Sequence, residues 1–365
     1  MSIKIPIYQP WLGGNEKKYV NDCLDTNWIS SKGKFIHQFE EKFAEYLGVK
    51  YATGISNGTT ALHLALETLG IGKGDEVIVP TFTYIASVSS ILYTGATPVF
   101  VDSLASTWQI DPEDIKRKIT PKTKAIMPVH LYGHPCEMDE ICKIAKEHNL
   151  FIVEDCAEAF GSKYKDKYAG TFGDISTFSF YGNKTITTGE GGMLITNDFK
   201  LFDKAYHLKM HGVSKEIEYW HDVIGYNYRM TNICAAIGLA QLENVGERIR
   251  LKRELAEKYN KLLSGLPVTP HKEAQNVFHT YWMYSILVDS EGTRESLREF
   301  LKKEGIETRP TFHPVHTMPM FSKLNQKFPV AEDIATRGIN LPSWPNIPNE
   351  SIEYICEKIS SFFKK

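Results

Sequence analysis

Residues 76–102 read EVIVPTFTYIASVSSILYTGATPVFVD: a short apolar run, a helical stretch over Ile85–Tyr93, and a second apolar run that ends at Asp102. The runs Glu76–Val79 and Thr97–Val101 have the length of strands, and the segment between them that of a helix. The same alternation extends both ways. Upstream, the strand Tyr51–Ile55 is followed by a helix opening near Thr59. Downstream come a strand at Ala125–Val129, a helix over Met138–His148 and a strand at Phe151–Glu154. Strands alternating with helices predict an α/β fold with a mostly parallel sheet covered on both faces. In such sheets ligands gather at the carboxyl ends of the strands.

Further out the texture changes. KFIHQFEEKFAEYL (34–47) sets Phe35, Phe39, Phe43 and Leu47 four apart before Gly48, the pattern of an amphipathic helix with a glycine stop. Between Ile175 and Thr196, the strand-like pieces ISTFSF and MLIT flank a loop rich in Gly and Thr. One long helical stretch is expected over Asn232–Leu263. The remainder reads as a smaller α+β unit, with a strand at Trp282–Leu287 and helices at Thr293–Lys303 and Glu350–Phe362. We expect a large domain over 1–245 and a small one over 246–365.

The chain has 365 residues, 42% hydrophobic and 24% charged, with a formal net charge of −2; this is an ordinary globular composition. Without a basic tail or an acidic block, nucleic-acid binding by bulk charge has no support. No signal peptide is expected, and no apolar run approaches the ~20 residues of a membrane helix. Six scattered cysteines without a CxxC pair suit reduced thiols in a cytoplasmic protein. The twelve histidines show no HExxH spacing, so no metal is expected.

Four segments meet the demands of pyridoxal phosphate chemistry: an imine-forming lysine, an acid for the pyridine nitrogen, donors for the phosphate and a flat cover for the ring. Lys184, in FSFYGNKTITTGEGGM, follows an apolar strand, and Gly189, Gly191 and Gly192 permit close backbone approach behind it. Asp155, in FIVEDCAEAFG, ends a buried-looking strand. Gly58, Thr59 and Thr60, in SNGTTALHLAL, open a helix whose free N–H groups favour an anion. Ser179 offers a hydroxyl, and Tyr84, in PTFTYIASV, a ring cover. Taken singly, each has a plainer reading: a solvated loop lysine, a capping aspartate, an ordinary helix start and a core aromatic. The absence of GxxxxGK[ST] removes the nucleotide-loop alternative.

These residues resemble the DegT/DnrJ/EryC1/StrS family of sugar aminotransferases, which have the aspartate aminotransferase fold (fold type I). The resemblance runs from YQPWLGGNEKKYVNDCLDTNWISSKGKFI (8–36) through EDCAEAFGSKY, GTFGDISTFSFYGNKTITTGEGGM, YWHDVIGYNYRM and ETRPTFHPVHTMPMF to RGINLPSWP (337–345). It implies that L-glutamate passes its amine to the cofactor, giving pyridoxamine phosphate, and that the amine then moves to C4 of a nucleotide-linked 4-keto-6-deoxy sugar. GDP-4-keto-6-deoxy-mannose is the expected acceptor and O-antigen or capsule the expected destination. Acceptors linked to dTDP or UDP, or an 8-keto-octulosonate, are the alternatives within the chemistry. A non-catalytic binding protein is the alternative outside it. By motif, Lys184 is anchor and proton carrier, and Asp155 the partner of the pyridine nitrogen. Thr59, Thr60 and Ser179 hold the phosphate, and Tyr84 stacks on the ring. Glu158, where many relatives carry Gln, meets the cofactor ring or the sugar. Asn227 reaches the cofactor of a second subunit, which implies a homodimer with a shared site. Trp28, Ser31, Arg229, His313 and His316 are the further expected substrate contacts, with loop shaping the alternative for the two histidines.

Overall fold

The computed structural model describes residues 4–364. Two helices, α1 (Glu16–Asp25) and α2 (Lys34–Leu47), precede the alternating region. It runs β1 (Tyr51–Ile55), α3 (Gly58–Leu69), β2 (Glu76–Pro80), α4 (Ile85–Tyr93), β3 (Thr97–Val101), α5 (Pro112–Lys118), β4 (Thr123–Ile126), α6 (Met138–His148) and β5 (Phe151–Asp155). A small hairpin, β6 (Lys163–Tyr164) and β7 (Lys167–Tyr168), leads to β8 (Ile175–Ser179) and β9 (Gly192–Thr196). Seven of these strands form one sheet in the order β1-β9-β8-β5-β4-β2-β3. Its pairings from β8 to β3 are parallel, whereas β9 is antiparallel to both neighbours. The sheet is therefore mostly parallel, with β9 alone reversed.

Alternation along the strands builds the layers. Val77, Val79, Val153 and Leu194 enter a core with Leu62, Leu66, Val88 and Ile91 of α3 and α4. Ile78 and Ile152 point oppositely, toward Ile115, Ile141 and Ile144 of α5 and α6. Met193 and Ile195 meet the expected stripe of α2 (Phe35, Phe39, Phe43, Leu47), which is wholly buried. Each such phenylalanine contributes about 1.5–3 kcal/mol on burial. Gly48 ends α2 in the left-handed region, at φ 69°.

Beyond the sheet come α7 (Phe199–Lys209), α8 (Asn232–Glu243) and α9 (Val245–Leu262). The single helix expected over 232–263 is thus two, broken where Asn244 adopts φ −112° and its N–H closes the last turn of α8. The rest holds β10 (Thr269–Pro270), β11 (Val277–Phe278), β12 (Tyr284–Leu287), α10 (Glu291–Lys303), β13 (Arg309–Pro310), α11 (Pro329–Arg337), β14 (Gly338–Leu341) and α12 (Asn349–Phe363). A second sheet has the order β10-β12-β14-β13, and β11 instead joins the hairpin as β11-β6-β7. The expected strand from Trp282 starts two residues later, at Tyr284, where its pairing with β14 begins opposite Leu341. The strand expected at 125–129 lies earlier, at Thr123–Ile126. The N-terminal segment also belongs to this half: Ile5 bridges Ile306, and Ser343 N–H donates to Ile7 O (3.1 Å). Among the described residues no helix is long and apolar enough to cross a membrane.

Candidate active site

The strand ends bring the candidates together. β1, β2, β5 and β8 all point the same way in the sheet, so Ser56–Thr60, Tyr84, Asp155 and Ser179 share its carboxyl edge. Lys184 lies on the connection between β8 and β9, where its N–H donates to Tyr181 O (2.9 Å). The Tyr8 hydroxyl donates to Lys184 O (3.0 Å).

Asp155 is buried. Its carboxylate accepts from Ser87 Oγ (2.7 Å) and from Ala157 N–H (3.1 Å). Burial still raises its pKa, against the opposing pull of these donors and of Lys184. Glu158, on the turn after β5, accepts from the Tyr132 N–H (2.7 Å) and stands 3.8 Å from Lys184 Nζ. Burial pushes Glu158 up to about 7, with Lys184 acting the other way. The Lys184 amine moves down for the same reason, burial opposing its charge more strongly than Glu158 and Asp155 favour it. An amine held below its ordinary range between two carboxylates suits a reacting group rather than a structural ion pair.

The anion cradle is equally local. Asn57 caps α3 by accepting from Thr60 N–H (2.9 Å), which leaves Gly58 and Thr59 N–H as the unpaired donors of the first turn. The Thr60 hydroxyl is within 3.0 Å of Ser56 Oγ. A Cβ on Gly58 would lie 2.8 Å from Ser179 Cβ and 3.1 Å from Ser179 Oγ. Glycine therefore lets the helix start close onto the Ser179 hydroxyl, forming one patch of donors. Tyr84 precedes α4 with 59% of its surface exposed, so it is not the core aromatic of the plainer reading; its ring lies 5.9 Å from Phe312. An amine, a buried acid, an anion cradle and an open aromatic face fit the shape and charge of pyridoxal phosphate.

A model of the DegT/DnrJ/EryC1/StrS aminotransferase family matches residues 10–360. The chain belongs to this family. It is 65% identical to GDP-perosamine synthase of Escherichia coli O157:H7, over 98% of each chain. Identity to GDP-perosamine synthase of Vibrio cholerae is 53%, over 98% of this chain and 99% of that one. A Streptococcus pneumoniae sugar aminotransferase solved in its PLP-form superposes with a TM-score of 0.93 at 29% identity, covering 99% of this chain and 98% of that one. The fold is accordingly that of the family's aminotransferases.

The remaining candidates divide by position. Asn227 is exposed and accepts from Arg229 Nε (2.9 Å), while Arg229 Nη2 lies 3.4 Å from His211 Nε2. Among the described residues, no hydrogen bond or ion pair joins either of them to Lys184, Glu158 or Asp155. Trp28 is 56% exposed, and Ser31 is half-buried. Their loop is held by Asn232, whose Nδ2 donates to Trp28 O (2.6 Å) and whose N–H donates to Ser30 O (2.6 Å). His313 is exposed. His316 is buried, with Nδ1 on Thr81 Oγ1 (2.7 Å) and Nε2 on Glu332 Oε1 (3.1 Å), so both ring nitrogens are engaged within the chain.

Sequence reasoning missed Ser87, Tyr132, Trp282 and Tyr8. Ser87 sits three residues after Tyr84, one helical turn along, which is the signal that could have found it. The other three come from distant segments without a local pattern.

Proposed function

We propose that this aminotransferase moves the amine of L-glutamate to C4 of GDP-4-keto-6-deoxy-mannose, forming GDP-perosamine for a surface polysaccharide. The observation that carries the reading is the 65% identity to a GDP-perosamine synthase across 98% of both chains, which includes the segments that build the site.

Bound at this site, pyridoxal phosphate supplies an electron sink for the carbon that loses its proton. Gly58 and Thr59 N–H, with the hydroxyls of Thr59, Thr60 and Ser179, would hold its phosphate, and Asp155 its pyridine nitrogen. Asp155 suits this, since a buried carboxylate with a raised pKa gains most from a cationic N–H partner. Tyr84 would cover the ring. Lys184 would hold the group through its amine, and the same amine is the chain's own base and acid for the proton at the donor carbon. Burial lowers the Lys184 pKa, which favours the neutral amine relative to an exposed lysine. Glu158, 3.8 Å from that nitrogen, is placed to balance its positive charge while the amine holds a proton.

Asn227 and Arg229 lie outside the chain's own cluster, which supports their service to a second copy across a homodimer. The neighbouring exposed apolar residues Tyr219, Trp220 and Ile224 suit such an interface. Residues 1–245 would be the cofactor-binding unit and 246–365 the smaller one, in a cytoplasmic enzyme. Trp28, Ser31 and His313 are the exposed groups assigned to the nucleotide-sugar. The test is a panel of GDP-, dTDP- and UDP-linked 4-keto-6-deoxy sugars and an 8-keto-octulosonate, each with glutamate, scored by product mass. Amination of the GDP-sugar is expected to dominate. Preference for another acceptor would refute the assigned sugar, and a chain that takes up no cofactor would refute the chemistry.

A further inference from the structure

The second half of the chain reaches Lys184 through Trp282. Lys184 Nζ lies 3.8 Å from the centroid of the Trp282 ring, and Trp282 is 5% exposed. The indole Nε1–H donates to Asn183 O (2.6 Å), the carbonyl immediately before Lys184. The backbone that carries the ring is held as well: Lys252 Nζ donates to Trp282 O (3.2 Å) and also to Ser343 O. Lys252 is itself buried. To one side, Trp282 lies near-parallel to Tyr132, at 6.2 Å and 15°. Tyr132 is the residue whose N–H holds Glu158. The reacting nitrogen therefore meets an aromatic face as well as a carboxylate.

These contacts act on different things. An aromatic face attracts an ammonium through its quadrupole and has no comparable attraction for a neutral amine. The ring N–H restrains the backbone from which the lysine springs. Given Lys184 as the reacting amine of the function above, we propose that Trp282 is its positioning residue: the indole face seats the nitrogen and the ring N–H fixes the loop that carries it. Of the two, the face offsets part of the burial that disfavours the ammonium, so the amine can both take and release a proton.

Two apolar replacements separate the contacts. Trp282→Leu removes both face and N–H, whereas Trp282→Phe keeps a face and loses only the N–H. In cofactor-free protein, the pH dependence of trace acetylation at Lys184, read by peptide mass spectrometry, gives the amine midpoint. Amide exchange at Lys184, whose N–H closes on Tyr181 O, reports the loop. Trp282→Leu is expected to lower the midpoint by about 1 pH unit and to speed the exchange. Trp282→Phe is expected to restore most of the midpoint while leaving the exchange fast. An unchanged midpoint in the Leu variant, or exchange in the Phe variant as slow as in wild type, overturns the role. If the Leu variant does not fold, a midpoint in the Phe variant as low as that of free burial, well below wild type, overturns the part played by the face. Borohydride reduction of wild-type protein loaded with pyridoxal phosphate separates the two levels of inference. Absence of the label from Lys184 overturns the reading of the lysine, independently of Trp282.

Discussion

Replacing Glu158 by Gln isolates what its charge does. The amide keeps an oxygen for the Tyr132 N–H, which reaches Glu158 at 2.7 Å, and nearly the same volume, so the packing survives and the charge does not. Two unit charges 3.8 Å apart attract by about 4 kcal/mol at an effective dielectric of about 20. Burial pushes Glu158 up to about 7, so near neutrality the pair is only partly charged, and the effect on the Lys184 ammonium is on the order of 1 pH unit. Losing an anion disfavours the ammonium, so the midpoint must fall. Trace acetylation of Lys184 across pH in the cofactor-free Glu158→Gln protein should show that fall, with thermal stability close to wild type. A midpoint that stays put or rises would refute the electrostatic coupling and leave Glu158 as a hydrogen-bond acceptor for Tyr132.

Ser87→Ala strips Asp155 of a charge-assisted hydrogen bond, a loss of roughly 1.5–3 kcal/mol. Cofactor affinity, followed by absorbance titration, should weaken about 10- to 100-fold; wild-type affinity would show that Ser87 does not support the acid. Gly58→Ala puts a Cβ 2.8 Å from Ser179 Cβ, against an optimum of about 3.5–4 Å, so stability should drop by roughly 1–3 kcal/mol and cofactor affinity with it. Adding Ser179→Gly should recover the melting temperature but not the affinity, and recovery of both would locate the phosphate elsewhere. Acid sensitivity follows from three buried histidines packed together, His134, His271 and His279. Burial lowers His134 to about 4, His271 to about 3 and His279 well below the ordinary range. The unfolded chain takes up these protons near pH 6.5 while the folded chain does not, so the contribution of these three groups is constant above about pH 7 and lost as pH falls toward 4, by roughly 3 kcal/mol for His134 alone. A denaturant midpoint independent of pH between 7 and about 4.5 would contradict this.

Local patterns in the sequence were enough wherever one element decides its own burial. The four-residue spacing of Phe35, Phe39, Phe43 and Leu47 predicts α2 to the residue, and the apolar run Ile85–Tyr93 does the same for α4. Reading fails where a single dihedral intervenes, as at Asn244 between α8 and α9, because apolar periodicity continues through the break. Strand β14 was legible as a motif, RGINLPSWP, but not as a strand, since its four residues gain their partners from β12 and β13 on either side. The site divides likewise. Lys184, Asp155, Ser179 and the start of α3 sit at strand ends and a helix start, which sequence marks. Trp282 and Tyr132 act through long-range contact, and the backbone N–H of Tyr132 is a group that every residue but proline possesses.

The N-terminal segment ties the ends of the chain together at the reactive loop. Ile7 N–H donates to Glu307 Oε2 (2.9 Å), a residue 300 positions later, and Tyr8, next in line, donates to the carbonyl of Lys184. During translation the strands of the first sheet can pair while residue 307 is still inside the ribosome, but this clasp cannot close. Trp282 likewise arrives nearly a hundred residues after the loop it restrains, at a separation of 99. The lysine is thus synthesised midway and seated last. A fragment cut short of residue 282 would keep the amine and the acid yet leave the nitrogen without its aromatic face, so a fully seated amine reports a chain made through to its second sheet.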